Sequence, residues 1–374
     1  MSGLLNAGRD RAARPVTGLL VLVLVLAPVL GLHAIPGFGM SIYGINLVGQ
    51  VMCFALLAMA LDLMWGGAGV LSLGHGLFFA FGGYLAAMHL LKTAYAQTHV
   101  LPDFLQFMGQ GTFPGFWWPF GSASLSVLAI ILLPGLLAFI FGYVSFRSRV
   151  NGVYFSIITQ ALTYTAMLLM FRNETGFGGN NGMTGFNTIA GLPIGGMKAA
   201  VLLTMLSTAA VLVVLVGGRA MLATRFGRML TAIRDDEARL RFLGYDTLWL
   251  KLAAWCLSAI IAAMAGALYV PQVGIINPTL LDPSLSIEVA VWVAVGGRGG
   301  LCGAVIGAVL VNTLKFWMSA AAPTVWPFVL ALLVLLVVLV LPNGLMDLSN
   351  RSRAWMADLT KGDAPGAKSA RRLS

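Results

Sequence analysis

The sequence predicts an all-α polytopic membrane protein of about nine or ten transmembrane or re-entrant helices, with both termini cytoplasmic. Three observations predict it. Of the 374 residues, 59% are hydrophobic and only 10% charged, against roughly 25% charged in soluble domains. Apolar stretches of about 20 residues, enough to cross a bilayer, recur along the chain. The scarce basic residues gather in alternate connections, as they do on the cytoplasmic side of membrane proteins. The mean hydropathy of +0.90 excludes a soluble globular fold, which would expose far more charge. The net charge of +10 then reads as anchoring at the cytoplasmic face rather than nucleic-acid binding.

In chain order, spans are expected near 16–34, 42–65, 70–91, 124–145, 152–171, 198–217, 252–273, 287–298, 300–319 and 325–342. Arg9, Arg11 and Arg14 precede the first apolar run. That run is long and lacks a small-x-small cleavage site, so it reads as a retained span rather than a signal peptide. The eighth span is short, and Gly296–Gly297–Arg298–Gly299–Gly300 separates it from the ninth. The pair is either two crossings or one re-entrant hairpin, and both leave the termini on one side.

Under this count Arg147, Arg149, Arg219, Arg225, Arg228 and the basic end (Arg351, Arg353, Lys361, Lys368, Arg371, Arg372) share the face of the N-terminal arginines. That face is the cytoplasm. The domain reading is a transmembrane domain over 1–348, with a cytoplasmic loop near 225–251, and a flexible basic tail over 349–374.

Glycine-rich breaks occur at 66–84 (GGAGVLSLGHGLFFAFGGY) and 296–308 (GGRGGLCGAVIGA), in opposite halves of the chain. Interrupted segments in corresponding halves point to a substrate path, while glycines also serve close helix packing in lipid. Cys53, Cys256 and Cys302 are scattered in apolar segments and form neither a disulfide framework nor a metal site. His33, His75, His89 and His99 have no metal-ligand spacing, and no nucleophile–base motif is visible. The chain does not read as an enzyme.

The cytoplasmic stretch AIRDDEARLRFLGYDTLWLK (232–251) holds eight charged residues in twenty positions. Asp235, Asp236 and Glu237 precede Arg239 and Arg241, which suits a helix dipole. Asp235–Arg239 and Glu237–Arg241 are favourable i,i+4 pairs. Gly244 is suited to a left-handed stop. A short helix between two spans is therefore expected, with Ile233, Leu240 and Leu243 free to make contacts. The chain has no G-x-x-x-x-G-K-[ST] phosphate loop, so pumping needs an external motor.

Over roughly 41–346 the chain resembles permeases of the branched-chain amino acid/amide class of ATP-binding-cassette importers. The stretches that carry the likeness are LSLGHGLFFAFGGY (71–84), AIRDDEARLRFLGYDTLWLKL (232–252), SAIIAAMAGALY (258–269) and VAVGGRGGLCGAVIGA (293–308). Residues 145–186, ALYVPQVGIINP (267–278) and SIEVAVWVAVGGRG (286–299) look like the permeases of urea-type importers within that class. The resemblance implies that Asp235, Asp236, Glu237, Ala238, Arg239, Arg241 and Gly244 form the loop that engages an ATPase. Arg239 stands where a second alanine is common, and the glycine spacing departs from the usual pattern.

The resemblance further implies a bacterial inner-membrane location, a second permease subunit, two ATPase subunits and a periplasmic solute-binding protein. Membrane lipid is the surrounding medium, and nucleic acid is not a partner. ATP and Mg would be used by the ATPase subunits, with no cofactor bound by this chain. Urea is the expected cargo, with branched-chain amino acids or short amides as the alternative and an autonomous channel or carrier as a reading of another class.

Urea is neutral, and an amide stripped of hydrogen bonds in an apolar medium costs roughly 2–7 kcal/mol. Polar groups in the spans are therefore candidate path residues: Asn46, Gln50, His75, Gln160, Tyr164, Glu288 and Asn312. Each has a structural alternative in helix–helix hydrogen bonding. Asp62 is ionisable in a span, with snorkelling to the interface as its alternative. Asp282 and Pro283 make an N-cap and N1 pair ahead of Glu288, whose structural alternative is to complement that helix start. Gly178, Gly179, Asn180 and Asn181 lie in an external turn-rich loop, either a gate or binding-protein contact or a close-packed turn.

Overall fold

The computed structural model describes residues 41–107, 111–150, 152–340 and 344–346. The expected first span, the N-terminal arginines and the tail over 349–374 lie outside the described residues. The chain is an all-α polytopic membrane protein: among the described residues seven helices are long and apolar enough to cross a membrane.

Helix α1 (Ile42–Ala68) is apolar on every side and buried along most of its length, as a central helix must be. Ser41 caps its start by accepting from the Gly44 amide at 3.2 Å. Gly69, at φ +76°, ends it in the left-handed conformation. Helix α2 (His75–Thr98) follows, then a short α3 (Asp103–Phe107) on the external side. Helices α4 (Ala123–Arg147) and α5 (Val153–Phe171) form the next pair. After an external loop with short two-residue strands come α6 (Met197–Ala223), α7 (Arg225–Phe242) and α8 (Thr247–Val273). Helices α9 (Pro283–Gly296), α10 (Cys302–Ala321) and α11 (Trp326–Val340) complete the described chain.

Inter-helix contacts give the directions. Ile45 meets Thr204 and Gly67 lies by Leu222, so α1 and α6 run parallel. Gln50 meets Gln272 and Phe54 meets Tyr269, so α1 and α8 run antiparallel. His75 meets Ser258 and Gly83 lies by Gly266, so α2 and α8 run parallel. These directions agree with alternating spans.

Two expected spans change shape. The helix expected over 70–91 begins only at His75 and continues to Thr98. Residues 69–74 are not helical, because hydroxyl groups hold their backbone instead. The Leu73 amide donates to Thr159 Oγ1 at 3.1 Å, and Ser156 Oγ donates to the Leu71 carbonyl at 2.8 Å. The Gly76 amide donates to Ser286 Oγ at 3.1 Å. His75 stands beside Ser258, eleven residues into α8 and so roughly 16 Å along that span. Irregular backbone at membrane depth needs such partners inside the protein.

The expected pair 287–298 and 300–319 is a hairpin of unequal arms. Helix α9 has 14 residues, about 21 Å of rise, short of the roughly 30 Å hydrocarbon core. It packs on α10 through Gly296, Gly303 and Gly307, whose added Cβ atoms would strike backbone across the pair. Asp282 caps α9 by accepting from the Ser284 amide at 2.7 Å, with Pro283 at its first position.

Candidate functional site

The cytoplasmic excursion is one helix with a break. Asp236 has φ −161° and ψ 94°, which divides α7 into two pieces. Asp236 then caps the second piece: its Oδ1 accepts from the Arg239 amide at 3.1 Å, and its Oδ2 pairs with Arg239 Nε at 2.8 Å. The expected Asp235–Arg239 pair does not form, because the break turns Asp235 toward Arg234 instead. The Glu237–Arg241 pair does form, at 2.7 Å, and Gly244 sits at φ +86° as the stop. Ala238 is exposed on the same short turn.

Glu237 faces the spans rather than the cytoplasm. Its Oε1 accepts from Arg241 at 2.7 Å, from Thr247 Oγ1 at 2.8 Å and from Lys251 Nζ at 2.7 Å. Lys251 is fully buried (0% exposed) in the first turns of α8, also near the Phe146 ring. The cytoplasmic excursion therefore closes at about residue 246, and Lys251 belongs to the helix core. Leu240 and Ile233 are buried beneath the helix, while Phe242 and Leu243 are 92% and 74% exposed. With Tyr245 they form an apolar tip on the cytoplasmic side.

Burial alone would raise the Glu237 carboxyl, but Lys251, Thr247 and Arg241 outweigh it and hold the group below its ordinary value. A depressed native value means that the stabilisation is complete above the unfolded carboxyl value, about 4.3, and is lost as pH falls through the native one. An acid step in tryptophan fluorescence below about pH 4 is therefore expected in detergent. Glu237→Gln, which has no carboxyl to titrate, removes that step from the difference curve; an identical curve would contradict the assignment.

Asp62 does not snorkel. It is 1% exposed, and its two oxygens accept from the Gly299 amide at 2.7 Å and the Leu301 amide at 2.8 Å. It caps the start of α10 from another helix.

The path candidates separate into different places. Asn46 and Gln50 share one face of α1 with Gly49 and Cys53, against α6 and α8. There Gln272 Nε2 donates to Ser207 Oγ at 2.9 Å and to the Leu268 carbonyl at 2.7 Å, and the Gln50 amide reaches the Gln272 carbonyl at 3.5 Å. Asn46 Oδ1 and Gln272 Oε1 accept nothing from the described residues. His75 bonds Ser258 at 3.2 Å, and Asn312 is buried with its amide on the Ala308 carbonyl of its own helix. Gln160 is half-buried and Tyr164 is 49% exposed, on the outer side of α5 with Ile157 and Leu168. Glu288 lies beyond the first turn of α9 and does not serve the helix start. It pairs with Lys315 of α10 at 2.6 Å.

Sequence reasoning missed Gln272, Ser207 and Lys315. Lys315 carried a usable signal, being an ionisable residue inside an expected span. Gln272 carried little, because it follows Pro271 at the very end of α8.

In the external loop Gly178, Gly179 and Gly182 all have positive φ. A Cβ at Gly178 would strike the Gly182 carbonyl, and one at Gly182 the Ile276 carbonyl. Residues 183–184 pair antiparallel with 275–276. The glycines thus form a close-packed turn, while Asn180 and Asn181 remain exposed on its rim.

The sequence pattern of the family described as "Branched-chain amino acid transport system / permease component" matches residues 43–341. The high-affinity branched-chain amino acid transport system permease protein LivM of Escherichia coli K12 is 25% identical over 288 residues, 71% of this chain. Its Salmonella typhimurium counterpart is 25% identical over 295 residues, 73% of this chain. The matches span 61% and 63% of the length of these two relatives. The autoinducer 2 import system permease protein LsrC of Escherichia coli O157:H7 is 28% identical over 64% of this chain and 70% of its own length. No solved structure matches the chain.

Proposed function

The chain belongs to the branched-chain amino acid transport permease family, and on that premise we propose that it is the membrane-spanning subunit of an ATP-driven importer. It is a multi-pass protein of the inner membrane. A second permease subunit completes the channel, two ATPase subunits supply the motor using ATP and Mg, and a periplasmic binding protein delivers the solute. The body over 1–348 carries the transport path and the stretch over 349–374 is a basic tail. Asn180 and Asn181, on the rim of the external turn, are the contact for the binding protein.

The observation that carries this reading is the braced cytoplasmic tip. A short helix with capped ends is tied to α8 through Glu237, and it presents Phe242, Leu243 and Tyr245 to the cytoplasm. Exposed aromatic and aliphatic groups on a rigid support suit an apolar pocket on a partner. Glu237 and Arg241 position the tip, and Phe242 and Leu243 make the contact.

Phe242→Asp and Leu243→Asp should each lower ATP-dependent uptake in reconstituted vesicles by at least about tenfold and release the ATPase subunits on purification. The folded yield should not change, since both side chains are exposed. Full uptake by the double variant, or uptake by the wild-type chain without ATP, would sink the reading.

For cargo, the reading is urea. Its carbonyl and four N–H bonds match neutral side-chain amides, and Asn46, Gln50 and Gln272 supply such groups on adjoining helices. Two observations favour a branched-chain amino acid instead: the names of the LivM relatives, and the Glu288–Lys315 pair, which offers both signs of charge that a zwitterion needs. Uptake of labelled urea challenged with excess leucine and with acetamide separates them. Competition by acetamide alone supports urea, and competition by leucine reverses the assignment.

A further inference from the structure

Resting on the importer reading, we propose that Asp62 and Arg234 form the mechanical link between the cytoplasmic helix α7 and the α9–α10 hairpin. Arg234 grips α1 from α7, just before the break at Asp236. Its Nη1 donates to the Gly66 carbonyl at 2.8 Å. Its stem lies against Gly69, where an added Cβ would stand 2.8 Å from Arg234 Cγ. The same Nη1 is 3.3 Å from where a Cβ on Gly299 would be. Arg234 therefore sits where α7, the end of α1 and the hairpin turn converge.

Asp62 makes the second half of the link, one turn before Gly66. Two charge-assisted bonds to the Gly299 and Leu301 amides fix the hairpin turn to α1. The Leu301 amide stands at the start of α10, whose first N–H groups have no acceptors within the helix. Leu301 has φ +34°, a conformation L residues seldom adopt, and the carboxylate bonds hold it there. A Cβ on Gly66 would strike the Gly299 amide, so α1 and the turn touch backbone to backbone. Arg298 adds its guanidinium over the Trp65 ring at 4.9 Å.

The hairpin has no slack to absorb a shift. Gly296, Gly303 and Gly307 put the backbones of α9 and α10 in direct contact. A displacement at residues 299–301 therefore moves α9 as a body. Helix α9 carries Ser286, which holds the Gly76 amide at the head of α2, and Glu288, which pairs with Lys315. Movement of the cytoplasmic tip thus reaches the non-helical 69–74 segment and the charged pair between α9 and α10. Asp62 and Arg234 act here as positioning residues, with no contact to solute required.

The test uses the full chain assembled with its partner subunits in vesicles. Asp62→Asn keeps size and one acceptor, and Arg234→Gln alters a side chain that is 41% exposed and so least disturbs folding. Each should cut uptake at least tenfold while ATP hydrolysis by the assembled complex stays within twofold of wild type. Hydrogen exchange over 297–302 should change with nucleotide in wild type and lose that response in Arg234→Gln. Uptake and hydrolysis falling in proportion in both variants, wild-type uptake in both, or exchange over 297–302 that ignores nucleotide in wild type would each overturn the link. Failure of the importer reading shows separately, as wild-type chain that supports no ATP-dependent uptake, and it removes the link with it.

Discussion

Glu237→Ala is expected to destabilise the protein by about 3–5 kcal/mol and to free the cytoplasmic tip. One carboxylate oxygen serves three donors, from Arg241, Thr247 and Lys251. Arg241 is partly in water and loses little. Lys251 is different, because its ammonium remains fully buried once the carboxylate is gone. Removing one member of a buried pair costs far more than the pair itself contributes, since the remaining charge stays in a low dielectric without that carboxylate.

The tip should then detach from α8 at a fraction of the global unfolding energy. Tryptic cleavage after Arg239 and Arg241 should accelerate on the order of 100-fold where opening is in fast equilibrium. Glu237→Gln should fall between, keeping an acceptor for Thr247 without the charge. An unchanged melting temperature and an unchanged cleavage rate for Glu237→Ala would show that Lys251 finds its compensation elsewhere.

Gly266→Val should prevent folding altogether. Gly266 and Gly82 lie where α2 and α8 cross, and each added Cβ would fall on the other helix's backbone, at the Phe79 and Ala263 carbonyls respectively. A clash with a flexible side chain relaxes by rotation, but a clash with a helix backbone relaxes only by separating the helices. Overpacking typically costs about 1–3 kcal/mol, and here about 3 kcal/mol or more is expected, because neither side can yield. Separation would also open the contacts of Phe78, Phe79 and Trp255, all buried at this crossing. The readout is the fraction of monodisperse protein extracted from membranes, expected to fall near zero. Gly217→Ala is the control: nothing lies within 4 Å of its added Cβ, and helix propensity favours alanine. Equal yields for the two would refute the crossing geometry.

Some of the candidate site was legible in the sequence. Gly244 marks the end of a short helix by a rule that acts within one turn, and the Glu237–Arg241 pair follows from its i,i+4 spacing. The Asp235–Arg239 pair failed by the same local logic, since Asp236 caps the helix and so breaks it one residue after Asp235. The inward aim of Glu237 was not legible. It depends on Lys251 and Thr247 arriving at that point after the chain has turned into α8. Asp62 was found as an ionisable residue in a span, but its partners lie 237 and 239 residues away. Nothing near Asp62 in sequence announces them.

By itself the sequence determined that this chain lives in a bilayer, where its main spans run and where several helices begin and end. Those are properties of composition and near neighbours: transfer of a segment into hydrocarbon is summed along the segment, and caps act within one turn. Only the tertiary structure decided that residues 69–74 stay non-helical, that Glu288 meets Lys315, that the external glycines pack as a turn, and that Glu237 reaches Lys251 of α8. The physical reason is that a buried polar group must find its partner within about 3 Å, and which partner comes that close is settled by helix packing rather than by order along the chain.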